Sequence, residues 1–116
     1  MPVAQQQKQM TKRPFGVIVR DLLIERDFTT PVGNPNWSGF AASLDGIQYE
    51  SLRKAVTGER RPSPKIMESV AEALDVDPSI FYEYQLWLAQ RAFDPAEVGE
   101  DTALANLQAW VKSQRR

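Results

Sequence analysis

The side chains best suited to chemistry lie together, in QYESLRK at positions 48–54 and in the pair Arg60-Arg61. Gln48, Ser51, Arg53 and Lys54 carry donors that can reach base edges or phosphate oxygens, and Glu50 can accept from a cytosine amino group. Tyr49 has two open readings: contact with a thymine methyl or a phosphate, or packing at a helix start. Arg60 and Arg61 follow a glycine that stops a helix, a position from which two guanidinium groups can grip a sugar–phosphate backbone. The competing reading of these cations is a solvated basic face. Bond-making chemistry is less well supplied. The chain has no histidine and no cysteine, so an imidazole base, a thiol nucleophile, a disulfide framework and a zinc finger are all excluded. Glu68, Glu72, Asp75 and Asp77 fall at helical spacing on a polar face, with no paired nucleophile, metal shell or glycine-rich phosphate loop beside them. The expectation is a protein that binds and does not catalyse, with no cofactor and no metal.

Helices must position these residues, because no period-two run of β-branched residues occurs. An all-α fold is expected. Pro14 suits a first helical turn, and Phe15, Ile18, Val19, Leu22 and Leu23 recur at helical spacing after it. TTPVGNPN at positions 29–36 is a loop by its prolines and glycine. Asn36 caps a short helix with Phe40, Ala41 and Leu44 inward. Asp45-Gly46 is a turn, and a second helix over about 48–57 places Leu52, Ala55 and Val56 inward and stops at Gly58. Ser63-Pro64 and Asp77-Pro78 are cap-plus-proline devices. Between them Ile66, Met67, Val70, Ala71 and Leu74 make an amphipathic stripe. Ile80, Phe81, Tyr84, Trp87 and Leu88 continue the apolar pattern, and Asp94-Pro95-Ala96-Glu97 has capping-box spacing. A last helix from about Asp101 carries Ala103, Leu104, Leu107, Trp110 and Val111 before Lys112, Arg115 and Arg116.

Charge divides the chain as the elements do. The whole sequence of 116 residues has a net charge of -1. Residues 1–65 hold ten Lys/Arg against six Asp/Glu, and residues 66–116 hold four against nine, so a +4 half precedes a -5 half. Over 53–65 alone, five cations face one acid. This is the sign expected of an anion-binding half joined to a half with another task.

The stretch IQYESLRKAVTGERRPSPKIMESVAEALDVDPSIF, residues 47–81, resembles the lambda-repressor-like domain of XRE (Cro/cI-type) regulators. In that family a recognition helix ends in glycine, basic residues and a proline, and a helix like 66–78 follows. With the first helix the resemblance spans roughly 14–84. It implies a helix-turn-helix bundle of about five helices plus a C-terminal helix, with the helix beginning near Gln48 in the major groove. Trp37 stands where the family usually has glutamine and Phe40 where it has a central leucine; the spacing to Gly46 is one residue longer. Trp37 is expected to pack.

Three regions are expected: a disordered basic arm at 1–13, a DNA-binding domain at 14–93 and a helical extension at 94–116. The arm either follows a minor groove or is an inert tail. The apolar surplus at Phe81, Tyr84, Trp87, Leu88, Phe93, Leu104, Leu107, Trp110 and Val111 either closes the bundle or forms a homodimer or partner surface. The first functional expectation is a sequence-specific, repressor-like regulator that binds double-stranded DNA through Gln48, Tyr49, Glu50, Ser51, Arg53, Lys54, Arg60 and Arg61. The second is an antitoxin-like or adaptor module that binds a protein through the acidic half. No apolar run nears the roughly 20 residues of a membrane span, and no signal-type apolar block follows Met1. A cytoplasmic, nucleoid-associated protein without membrane contact is expected.

Overall fold

A computed structural model describes residues 13–115, and these are all-α: their only β feature is an isolated bridge between Thr29 and Pro35 in the long loop. The expected arm at 1–13 lies, apart from Arg13, outside the described residues. The helices are α1 (Phe15–Glu25), α2 (Trp37–Ser43), α3 (Tyr49–Thr57), α4 (Pro64–Ala73), a 3-10 turn (Pro78–Ile80), α5 (Tyr82–Arg91), α6 (Pro95–Val98) and α7 (Glu100–Gln114). The chain divides into two compact units between Tyr84 and Gln85, inside α5. The break is not marked by a turn. Tyr84 packs on the core of the first unit, whereas the residues after it carry no buried apolar side chain until Ala103.

In the first unit the apolar stripes read from the sequence meet in one core. Phe15, Val19 and Leu23 of α1 join Phe40 and Ala41 of α2, and Leu52 and Ala55 of α3. Ile66, Met67, Val70 and Ala71 of α4 complete it with Leu44, Leu74 and Phe81. The Phe15 and Phe81 rings meet edge-on with centroids 4.7 Å apart, a favoured quadrupole arrangement. Pro14 is the residue before α1 and not its first residue. The exposed donor at that helix end is met from far along the chain, because the Phe15 amide donates to Glu83 Oε2 at 3.0 Å. Arg13 forms an ion pair with Asp21 one side of this same helix.

The local caps are as the residue types require. Asn36 Oδ1 accepts from the Gly39 amide at 3.1 Å, and Ser63 Oγ accepts from the Ile66 amide at 3.2 Å ahead of Pro64. Ser63→Ala should therefore lower stability by about 1 kcal/mol, the usual worth of such a cap. A urea unfolding midpoint that does not move would show that the Ile66 amide is equally well served by water.

In the second unit, Asp94 Oδ1 accepts from the Ala96 amide at 3.0 Å, but the expected capping box is not closed. Glu97 instead forms an ion pair with Arg91 at 3.3 Å, and the Arg91 guanidinium lies 5.0 Å over the Trp87 ring. On α7 only Ala103 is buried, and Asn106 donates to the Ala92 carbonyl at 2.7 Å. No helix among the described residues is long and apolar enough to cross a membrane.

Candidate nucleic-acid interface

Two short helices and the turn between them position the candidate residues. α2 ends at Ser43, and Leu44 enters the core in extended conformation. The chain then turns through Gly46 at φ +73°, a left-handed value that disfavours a side chain. Ile47 packs against the core, and Gln48 stands as the residue before α3 without bonding any amide of that helix. Its amide group is exposed and uncommitted to capping. Leu52 and Ala55 pin the inner face of α3. Tyr49 and Glu50 are left exposed, with Ser51, Arg53 and Lys54 half-buried along the flanks. The helix stops at Gly58, φ +84°, and the Arg60 amide returns to the Lys54 carbonyl at 3.1 Å. This closure fixes the direction in which the next residues leave α3.

Arg60 and Arg61 are exposed beyond that stop, while Pro62 is buried. The two arginines line one recess with Pro14, Gly16 and Glu83 at the start of α1. They are therefore held on the side of the unit where α1 begins and α3 ends. Neither has an ion-pair partner among the contacts observed.

Arg53 is different. Its Nε donates to Glu50 Oε1 at 2.5 Å and its Nη1 to Glu59 Oε2 at 2.7 Å, so one guanidinium bridges two carboxylates. Thr57 Oγ1 also donates to Glu59 Oε2, at 3.1 Å. The hydrogen bonds from Arg53 hold both Glu50 and Glu59 below the ordinary carboxylate range, and those to Glu50 and then Glu59 raise Arg53. Glu50 and Arg53, separate base or phosphate contacts on sequence grounds, are tied with Glu59 into one bridge that holds one more acid than base. Lys54, Arg60 and Arg61 are left as the cations of this segment outside that bridge.

Trp37 packs against the core and shares a small apolar pocket with Tyr49, Leu52, Arg53, Val56 and Thr57. The position thus supplies a wall between α2 and α3 and not a polar clamp. Two residues that matter to this geometry were not singled out by residue type. Glu59 reaches Arg53 only because Gly58 turns the chain back. Gly16 lies in α1 directly under the backbone of Val56 in α3, where a β-carbon would stand 2.0 Å from the Val56 carbonyl oxygen. A glycine inside an apolar helical run was the available signal for such a close approach.

Comparison with protein-family models, with curated proteins and with solved structures returns no match for this chain.

Proposed function

We propose that this chain is a sequence-specific, repressor-like regulator that binds double-stranded DNA, with the first unit as a lambda-repressor-like helix-turn-helix domain. It acts by binding and not by catalysis, in the cytoplasm on the nucleoid. α3 lies in the major groove, presenting Gln48, Tyr49, Glu50, Ser51, Arg53 and Lys54 to base edges and nearby phosphates. Arg60 and Arg61 neutralise the backbone beside it. One observation carries this reading: α3 is anchored by Leu52 and Ala55 while its N-terminal edge and the two arginines beyond its glycine stop remain exposed. Gln48, which caps no amide, and two guanidinium groups outside the observed ion pairs leave donors available for base edges and phosphates.

The decisive experiment is selection from random duplex DNA. Enrichment of a defined site, with Gln48→Ala relaxing preference at one or two base pairs, is the expected result. Failure to enrich any site would remove this reading and favour a protein partner for the acidic, aromatic-bearing second unit.

The Arg53 bridge adds a prediction of opposite sign to most. Glu59→Gln removes an acid beside the phosphate path and frees one arm of Arg53. Affinity for the selected site should rise about three- to tenfold at low salt, with a steeper salt dependence. A weaker complex would mean that Glu59 is needed to aim Arg53 and not merely to neutralise it.

A further inference from the structure

We propose that Arg53 and Glu50 together read a single G·C base pair, with Glu59 as the residue that fixes their aim. The inference rests on the DNA reading and narrows it to one pair. It follows from which hydrogens the bridge leaves free. Nε of Arg53 donates to Glu50 Oε1 at 2.5 Å and Nη1 to Glu59 Oε2 at 2.7 Å. Of the five N–H donors of a guanidinium group, both on Nη2 and one on Nη1 therefore remain. Glu50 Oε2 lies outside both bonds. The group stands on the accessible side of α3: the Arg53 side chain is 35% exposed and that of Glu50 60%. Leu52 and Ala55 hold the opposite face of the helix in the core.

Charge favours a base over a phosphate as the target. Two carboxylates and one guanidinium leave the bridge with one more acid than base, so as a unit it repels a phosphate. Lys54, Arg60 and Arg61 lie outside it and are better suited to that task. A base edge has no net charge and asks only for matching donors and acceptors. Across the major-groove edge of G·C stand two acceptors, N7 and O6 of guanine, and then one donor, N4 of cytosine. The bridge offers the complement in the same order. Free guanidinium hydrogens come first, and the carboxylate of Glu50 follows on the Nε flank. A·T would set the adenine amino group against the guanidinium, and C·G reverses the order.

Glu59 supplies the stiffness. A guanidinium held at two nitrogens has already lost the rotamer freedom that binding would otherwise remove. Glu50 precedes Arg53 by three residues on one helix, whereas Glu59 is returned to it by the left-handed turn at Gly58. Thr57 Oγ1 donates to the same Glu59 oxygen at 3.1 Å and steadies it. Glu59 acts through Arg53 and is a positioning residue.

The test starts with the full chain and random duplex DNA. The enriched site should hold a G·C pair whose replacement by any other pair costs about tenfold or more. At that pair 7-deazaguanine, which lacks the N7 acceptor, should weaken binding of the parent chain about five- to tenfold. Inosine, which alters only the minor-groove edge, should change it less than about twofold. With Arg53→Ala the 7-deazaguanine loss should vanish, and all four pairs should bind alike within about twofold. Glu59→Gln separates aim from charge. Its gain in affinity should be larger on sites without the guanine, so that the ratio of G·C to A·T binding falls about threefold. A residue that only stabilised α3 would leave this ratio unchanged. A defined site without such a pair, or a G·C preference that survives Arg53→Ala, overturns the proposal and leaves the DNA reading standing. Enrichment of no site overturns both.

Discussion

Gly16→Ala is expected to lower the stability of the first unit by about 2 kcal/mol or more, even though alanine is the better helix former. The added β-carbon would lie 2.0 Å from the Val56 carbonyl oxygen, 2.8 Å from its carbon and about 3.0 Å from its α-carbon. All three are backbone atoms, so no rotamer change relieves the overlap. α1 and α3 must move apart instead. Overpacking of a core usually costs about 1–3 kcal/mol, and a backbone clash belongs at the upper end of that range or above it. The gain in helix propensity, about 1 kcal/mol, offsets only part of this. The urea midpoint should fall accordingly, with the melting temperature down by roughly 10 °C. DNA affinity should also fall in samples that remain folded, because the displaced element is α3. Stability equal to or above that of the parent would show that the two helices already stand further apart in solution.

The double substitution Arg60→Ala/Arg61→Ala should leave stability within about 0.5 kcal/mol, since both side chains are exposed and make no observed ion pair. Its effect falls on binding. Each phosphate that a cation neutralises contributes about 0.9 to the slope of log affinity against log salt. Loss of both should flatten that slope by about 2 and weaken binding at about 0.1 M salt by roughly 30-fold or more. The loss should be similar across sequences, because a phosphate contact positions the protein without reading bases. An unchanged slope would place the pair away from the backbone. A loss confined to certain base pairs would instead make one of them a base contact.

These two predictions sit at opposite ends of what the sequence discloses. Arg60 and Arg61 were legible because their exposure follows from local rules: an apolar stripe that ends at Val56, a glycine stop, then charge. The same holds for Asn36, Ser63 and Asp77, whose oxygens meet amides two or three residues ahead. The stripe from Ile66 to Leu74 is buried as its spacing demands. By contrast, the periodicity of α1 says which of its faces is apolar and nothing about which backbone that face meets. Gly16 looked like a weak point in a helix and is in fact the place where another helix comes closest. Arg53 illustrates the same limit at short range. Its pairing with Glu50, three residues away on one helix, was available from spacing alone, whereas Glu59 is brought in by the turn at Gly58.

The sequence by itself therefore determined the all-α class, the ends of most helices, the apolar faces and the display of a basic pair beyond α3, because each depends on contacts within a few residues. The tertiary structure alone decided which of the candidate side chains are free. It brought Glu59 to Arg53 as a second carboxylate, set Glu83 on the Phe15 amide, set Gly16 beneath Val56 and drew the boundary between units inside α5. Each of these is a meeting of groups distant in sequence or redirected by a turn, and such meetings are settled by how the apolar faces pack together.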